Sequence, residues 1–281
     1  MITIAQTNDT SVSIEIPGPM FGYGVSIELP RYVSDVCGGG ISVRCEGEEY
    51  AIYRCRATWR LDDSDADALQ SLIVDGNRIR SYTYTITPDA DSGFFPAGPQ
   101  RGSVGPFSVR FDRIGYTDRM FSPGKMHDVE LSMIVVGTLP TYSTSTGLSE
   151  GPITLGSVTG LRQPPGGFSP SLGSVSGVLP AWSRGAWSTD RVDGNSPTTH
   201  DKHEAKATWI LNQGAAESLV EVLLANTDSA INFTCSGTGV YPFGRAYGNV
   251  TSLPVYYTED TIALTHEAHN RWAMPLTLVP Q

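Results

Sequence analysis

The sequence has no long apolar segment. None of its apolar runs approaches the roughly 18 residues that a membrane-spanning helix needs. The start, Met1–Gln6, lacks the basic and apolar regions of a signal peptide. We therefore expect the protein to be made in the cytoplasm and to stay there until a larger assembly is released.

Positive charge is scarce. Lys and Arg number 19 against 29 Asp and Glu, the formal net charge is −10, and both halves of the chain are acidic. This balance argues against a broad basic patch that grips phosphates. An acidic wall can still serve DNA, because it repels phosphates and lets the duplex slide past without sticking.

Cysteine is rare and shows no paired spacing. The chain has four cysteines, Cys37, Cys45, Cys55 and Cys235. In a reducing compartment we expect them to be free, packed thiols, with a zinc site or a disulfide as the alternative.

Catalytic motifs are missing as well, including a Walker loop and a dinucleotide-binding glycine pattern. Gly147–Gly151 fits the nucleophile elbow of hydrolases around Ser149, but that elbow needs a buried strand before the serine and a helix after it. Here a Ser/Thr-rich segment precedes the motif and Pro152 follows it, which favours a flexible linker. We expect no enzyme and no cofactor.

No metal motif has the required spacing. Asp63–Asp67 resembles the start of a calcium loop, but Ala68 and Val74 stand where the loop needs Gly and Glu, so we expect acids at a helix N-terminus. Two histidine pairs are spaced by three residues, whereas the metalloprotease helix motif needs four. We expect these histidines to be solvated: His200 and His203, and His266 and His269.

The chain is rich in turn formers and long enough for two domains. It has 281 residues with 30 Gly and 19 Pro, and only 17% of its residues are charged. This composition favours short strands joined by turns, and the length suggests two domains of about 150 residues each.

The most informative feature is an internal repeat. Arg56–Asp62 returns 150 residues later as Lys206–Asn212, and Gly93–Gly98 returns after 146 residues as Gly239–Gly244. The same offset of 150 pairs Val25 with Val175. A small drift in the offset is typical of two diverged copies of one domain, and such chains often assemble.

Each copy contains a core strand followed by a helix. Ala51–Leu61 alternates between polar and apolar residues, as does Ser11–Ile16. For the helix we predict Ser64 as N-cap, and Gly76 and its counterpart Asn226 as left-handed C-terminal residues. The residues predicted to be buried are Tyr53, Cys55, Ala57, Trp59 and Leu61 on the strand, Leu69, Leu72 and Ile73 on the first helix, and Leu219, Val222 and Leu223 on the second.

The remaining strands have strong β composition. Together they predict a mainly β (α+β) fold, with two tandem copies of a β-sandwich or half-barrel and one flanking helix each. Residues 31–50 are predicted to form a long loop or extended hairpin, and residues 160–178 an arm or loops. The further strands are Tyr82–Thr87, Phe107–Phe111, Val129–Val136, Ser229–Thr234, Leu253–Tyr257 and Trp272–Val279.

The repeated Gly-aromatic-Pro-Gly loop has two interpretations. It is either a turn whose aromatic ring plugs the edge of the core or a loop that contacts a neighbouring subunit, since exposed aromatic anchors often dominate interfaces. The candidate interface residues are Phe94, Phe95, Tyr241 and Phe243. His127–Asp128 and His269–Asn270 precede the last strand of each copy, where we expect turns.

The Ala57–Trp59 and Ala207–Trp209 strands with their following helices resemble tail structural proteins of long-tailed bacteriophages, of the tail tube or distal tail hub type. The resemblance implies domains at 1–137 and 153–281 with a linker at 138–152. It also implies a ring around the DNA channel of the virion, assembled in the host cytoplasm.

In such a ring, three chains with two copies each would give pseudo-six-fold symmetry, and a hexamer is the alternative. The loops 31–50 and 181–203 would reach neighbouring subunits or rings. Other tail proteins would be partners, and DNA would pass the lumen without specific binding. The alternative function is a receptor- or carbohydrate-binding β-protein.

Overall fold

The structure is a computed structural model that describes residues 1–36, 40–47, 50–74, 83–121, 124–139, 151–177, 198–235, 240–244 and 250–281. Outside these ranges lie Gly76, Cys37, Ser149, most of the predicted linker 138–152 and most of the loop 181–203.

The fold is mainly β, as predicted, and its strands pair antiparallel. The first half consists of β1 (Ile2–Gln6), β2 (Asp9–Ile16), β3 (Tyr23–Glu28), β4 (Arg31–Val36), β5 (Gly40–Cys45), β6 (Ile52–Asp62), α1 (Asp63–Val74), β7 (Tyr84–Pro88), β8 (Phe107–Phe121) and β9 (Gly124–Val135). The second half consists of β10 (Ile153–Leu155), β11 (Val158–Leu161), β12 (Ser169–Gly177), β13 (Thr198–Leu211), α2 (Gln213–Ala225), β14 (Ile231–Cys235), β15 (Val250–Tyr257), β16 (Thr261–Ala268) and β17 (Arg271–Pro280).

The two halves have the same strand order. The order is β3–β6–β9–β8–β7–β1–β2 in the first half and β12–β13–β17–β15–β14–β10–β11 in the second. All of these strands belong to one 15-stranded sheet, and β4 and β5 form a separate hairpin. The architecture is that of a β-sandwich with flanking helices. Origin by duplication and the domain boundaries stay predictions.

The registers of the ladders show which residues correspond. Gly24 of β3 lies opposite Arg56, and Ser169 of β12 lies opposite Lys206. Since Arg56 and Lys206 are the repeated pair, Ser169 is the counterpart of Gly24, and Val175 is not the counterpart of Val25. The sequence alignment at this strand was therefore wrong, because the connections around it differ in length.

The core consists of the inward faces of the strands and the apolar stripes of both helices. All eleven residues predicted to be buried on β6, α1 and α2 are buried, which confirms the alternation and the helical period. Trp59 and Trp209 occupy equivalent places in the two halves, with 0% and 1% of their surface exposed. Strand β2 departs from the prediction, because most of it is exposed and Val12 is 39% exposed.

The helix ends differ from the prediction. Asp62, not Ser64, caps α1: its Oδ1 accepts hydrogen bonds from the Asp65 amide and the Ser64 hydroxyl, each at 2.9 Å. Asn226 ends α2 with a φ of −125°, outside the left-handed region, and its Nδ2 donates to the Val222 carbonyl at 2.8 Å. The Asn226 side chain thus satisfies the Val222 carbonyl, which the backbone amide of a left-handed C-terminal residue would otherwise satisfy.

Two connecting segments are strands rather than loops. Residues 31–36 and 40–45 form the β4–β5 hairpin, which agrees with the hairpin alternative. Within the predicted arm 160–178, Ser169–Gly177 forms β12 on the edge of β13, which corrects the loop prediction. Its Gly, Pro and Ser content carries no strand signal, and the pairing with β13 supplies the structure instead.

Candidate assembly interface

The two halves join through a ladder between β3 and β16. Six residue pairs face each other, from Glu28 opposite Thr261 to Tyr23 opposite His266. Ile27 and Ile262 face each other within this ladder and are 0% and 3% exposed. The contact thus combines backbone hydrogen bonds with buried apolar surface, which is how a sheet edge is made a stable interface.

Arg31 fixes the far end of this junction. Its side chain is 5% exposed and reaches into the second half, where Nε donates to the Thr227 carbonyl at 2.6 Å and Nη1 to the Glu259 carbonyl at 3.0 Å. The guanidinium also lies 3.7 Å from the centre of the Tyr257 ring. Burial lowers the pKa of Arg31 from its usual value, and these acceptors compensate for the lost water.

An aromatic cluster closes the near end of the junction. The His266 ring lies 4.5 Å from Trp272 and 5.0 Å from Tyr23, and Phe95 packs edge-on at 5.6 Å from Trp272. The Tyr23 hydroxyl donates to the Gly93 carbonyl at 2.9 Å and accepts from the Phe95 amide at 3.1 Å. The aromatic-Pro loop of the first half is thereby held against the second half.

Burial governs the charge of the histidine in this cluster. His266 is 2% exposed, and burial, with a smaller contribution from His269, lowers its pKa to about 4. The ring is therefore neutral near neutral pH. The expectation of solvated histidines is wrong for His266, which packs among aromatic rings, and confirmed for His269, which is exposed on the turn between β16 and β17.

The start of α2 completes the contact. The Trp272 indole donates to Gln213 Oε1 at 2.7 Å, and Gln213 Nε2 donates to the Pro99 carbonyl of the first half at 3.4 Å and to Glu217 Oε1 at 2.8 Å. The short turn Pro99–Arg101 packs against α2. One glutamine thus links a strand of the second half to the loop of the first.

The structure places the four predicted interface residues in two groups. Phe94 and Phe243 are buried, at 0% and 2% exposed, and pack edge-on against Trp59 and Phe233 respectively. The two rings fill the edge of the core, as the first interpretation of the loop predicted. Phe95 is partly buried against the second half, and Tyr241 is 38% exposed.

The two aromatic-Pro loops have the same turn. The Gly98 amide donates to the Phe95 carbonyl at 3.1 Å, and the Gly244 amide donates to the Tyr241 carbonyl at 3.0 Å. Both glycines have a positive φ, of 90° and 87°, which other residues rarely adopt. Tyr241 is therefore the structural counterpart of Phe95.

The counterpart of the aromatic cluster in the second half is an open groove. By the register of β12 and β3, Phe168 corresponds to Tyr23, and Tyr241 corresponds to Phe95. In the first half these positions are covered by His266 and Trp272. In the second half they line a groove of about 380 Å³, together with Gln163, Gly167, Pro170, Val240 and Gly244.

The counterpart of the covered face consists of a buried histidine and an exposed aspartate. Trp59 lies opposite Val129 and Trp209 opposite Met274, so His127 corresponds to Trp272 and Asp63 to Gln213. His127 Nε2 contacts Asp63 Oδ1, as the Trp272 indole contacts Gln213. The Asp63 side chain is 60% exposed. His127 and Asp128 lie within β9, so the turn prediction is wrong for them and correct for His269–Asn270.

Other candidate chemistry does not gather into a site. In the described ranges no group of three His, Cys, Asp or Glu side chains is placed to hold a metal. Cys55 and Cys235 are buried, as predicted, and Cys45 is partly buried; none of these three described cysteines forms a disulfide. Neither helix that the structure describes is long and apolar enough to cross a membrane.

No sequence pattern indicated the residues that hold the junction. Arg31, Tyr23 and Gln213 belong to no repeated motif, and their partners lie in the other half of the chain. Only the repeated aromatic-Pro loop pointed to this region.

No protein-family model matches the chain, and no curated protein matches it.

Proposed function

We propose that this protein is a structural subunit of a bacteriophage tail that assembles with copies of itself into a ring around the DNA channel. One observation carries the proposal: the first half binds the second through a head-to-tail junction, and in the described part of the chain the strand edges that correspond to both sides of that junction are unpaired. Heterologous contacts of this kind produce rings when the rotation closes.

The charge distribution supports a channel that does not hold DNA. On the outward face of β6, Arg54 donates to Glu28 at 2.6 Å and to Asp112 at 2.7 Å, and Arg56 donates to Glu130 at 2.9 Å. These acids neutralise the arginines within a chain of net charge −10. A wall of this kind presents little positive charge to phosphates, so DNA remains mobile.

The ring is tested by measuring the mass and symmetry of the purified protein. We expect multi-angle light scattering to show a trimer of the 30.2 kDa chain, and negative-stain averages to show a pseudo-six-fold ring with a central hole. Gel shifts with duplex DNA at low salt are expected to show no binding. A monomer at all accessible concentrations, or particles without three-fold or six-fold symmetry, would contradict the proposal.

A second function, carbohydrate or receptor binding, is favoured by the groove at Phe168 and Tyr241. Aromatic rings beside a polar side chain such as Gln163 suit the faces and hydroxyls of a sugar. Glycan-array binding by a stable monomer, lost in Tyr241→Ala, would favour this function over the tail ring.

A further inference from the structure

We propose that the groove at Phe168 and Tyr241, with the free edge of β12, binds the edge of β8 in a second copy of this chain. The contact repeats between chains the junction that β3 and β16 form within one chain. This inference rests on the proposed self-assembly and specifies the surfaces that carry it.

The counterpart of β16 in the first half is the middle of β8. Thr117 of β8 lies opposite Asp128 of β9, and Thr265 of β16 lies opposite Ala273 of β17. Val129 faces Trp59 and Met274 faces Trp209. The residues just before them, Asp128 and Ala273, are therefore counterparts as well. Arg113–Asp118 therefore corresponds to Thr261–His266.

The two corresponding segments also have similar sequences. Ile114 and Ile262 occupy the same position, as do Gly115 and Ala263, and Thr117 and Thr265. Ile262 is buried because β3 covers it, whereas Ile114 is only partly buried. A second strand laid on β8 would complete the burial of Ile114 as β3 completes that of Ile262.

The edges that would meet are open in the described part of the chain. There, β12 pairs with β13 alone, and residues 113–118 of β8 pair with β9 alone. Unpaired edges bind further strands readily, and proteins cover them when such pairing is harmful. An edge whose counterpart is already paired within the same molecule is a suitable site for a second copy.

The groove supplies the side-chain part of the contact. In the internal junction Phe95 packs on Trp272, whose indole is bonded to Gln213. In the contact between chains, Tyr241 would take the place of Phe95 and meet Asp63, whose carboxylate is exposed beside the buried His127. The exposed carboxylate of Asp63 can accept a hydrogen bond from the tyrosine hydroxyl that Phe95 lacks, and such charge-assisted bonds are strong.

The internal ladder also predicts the register between chains. Ser26 faces Ala263 within one chain, so Ser171 of β12 should face Gly115 of β8 in the next chain. Facing residues in an antiparallel ladder have Cβ atoms about 5 Å apart, which is close to the span of a disulfide. A Cβ at Gly115 would meet Glu130 at 3.5 Å, an ordinary contact, so Cys fits there.

The test is disulfide trapping in the full-length double variant Gly115→Cys/Ser171→Cys. After mild oxidation we expect covalent multimers on a denaturing gel, with at least tenfold more product than from either single variant, and their disappearance on reduction. The single variants control for reaction with the native thiols, of which Cys45 is partly exposed. The pair Gly115→Cys/Ser169→Cys, two residues out of register, is the matched control and should give much less product.

The outcomes distinguish a failure of this contact from a failure of the ring proposal. Multimers by light scattering without trapping above the controls would overturn this contact and leave the ring proposal standing. A monomer by light scattering without trapping would overturn both. Equal trapping in both double variants would overturn the predicted register, because in a fixed ladder only one of the two serines lies opposite Gly115 of the other chain.

Discussion

At the scale of residues, the junction depends on polar side chains that are buried. His266 and Arg31 both lie between the halves, and they solve the problem of burial differently. Arg31 keeps its charge and finds two backbone carbonyls and an aromatic face, although among the described residues its Nη2 has no hydrogen-bond partner. His266 gives up its charge, and among the described residues its Nδ1 has no hydrogen-bond partner. The histidine therefore makes the junction sensitive to pH, whereas the arginine does not.

The stability of the protein should fall as the pH is lowered from about 6.5 to about 4. The pKa of His266 is lowered from 6.5 to about 4 in the folded protein, so in this window the unfolded chain binds the proton more strongly. The contribution is complete above pH 6.5, declines through the window and is lost below pH 4, with a maximum of about 3 kcal/mol. Urea denaturation measured across this range tests the expectation.

The variant His266→Phe should remove that pH dependence while the stability at pH 7 changes little, because the ring packs among aromatic side chains. His203→Gln, on β13, is the control and should retain the dependence. Identical pH profiles for His266→Phe and the unchanged protein would show that other groups are responsible.

At the scale of elements, the two helices begin with the same device. Asp62 and Asn212 stand just before α1 and α2, and each accepts a hydrogen bond from the amide three residues on, at 2.9 and 2.8 Å. The repeat aligns these two residues at the end of the Trp strand. An N-cap satisfies one of the free amides of the first helical turn, so the cap is part of the repeated unit.

Replacing Asn212 by Ala should destabilise the protein by about 1 kcal/mol, because the Ala215 amide loses its acceptor near a largely buried helix. Asn212→Asp keeps an oxygen acceptor and should stay within a few tenths of a kcal/mol of the original. Thermal or urea unfolding of the two variants measures the difference. An equal loss in both would show that the amide nitrogen of Asn212, not its oxygen, matters.

Elements with a strong period could be predicted from the sequence, and those that depend on a distant partner could not. The alternation on β6 and the stripe Leu69, Leu72, Ile73 follow from local geometry alone. Strand β12 has no such pattern and exists because β13 lies beside it. Ser64 and Asp62 are both good caps, and only the position where β6 ends decides between them.

The candidate site shows the same division. The repeated aromatic-Pro loop could be found in the sequence, but its partners could not. Phe95 contacts His266 and Trp272, which lie on strands far along the chain, and the β3–β16 ladder that brings them together leaves no local signal. Contacts between halves depend on the whole sheet, which no short window of sequence contains.

At the scale of the whole molecule, equivalent positions serve different purposes in the two halves. One copy of each surface is used inside the chain, where it joins the halves into one 15-stranded sheet. In the described part of the chain the other copy is exposed, at the groove of the second half and at Asp63 of the first. The same geometry would thus contribute once to folding and once to assembly.

Phe95 and Tyr241 provide the comparison that tests this division. Phe95→Ala should lower the free energy of unfolding by about 2 kcal/mol, because a partly buried ring leaves His266 and Trp272 uncovered. Tyr241→Ala should change the free energy of unfolding of the dissociated chain by less than about 0.5 kcal/mol, since the ring is 38% exposed, yet weaken assembly at least tenfold.

Urea denaturation and mass photometry over a dilution series measure the two effects. Val104→Ala, at a valine 57% exposed and outside both the groove and the loops expected to reach neighbouring subunits, is the control and should change neither. If Tyr241→Ala assembled like the control, the groove would have no part in joining the chains.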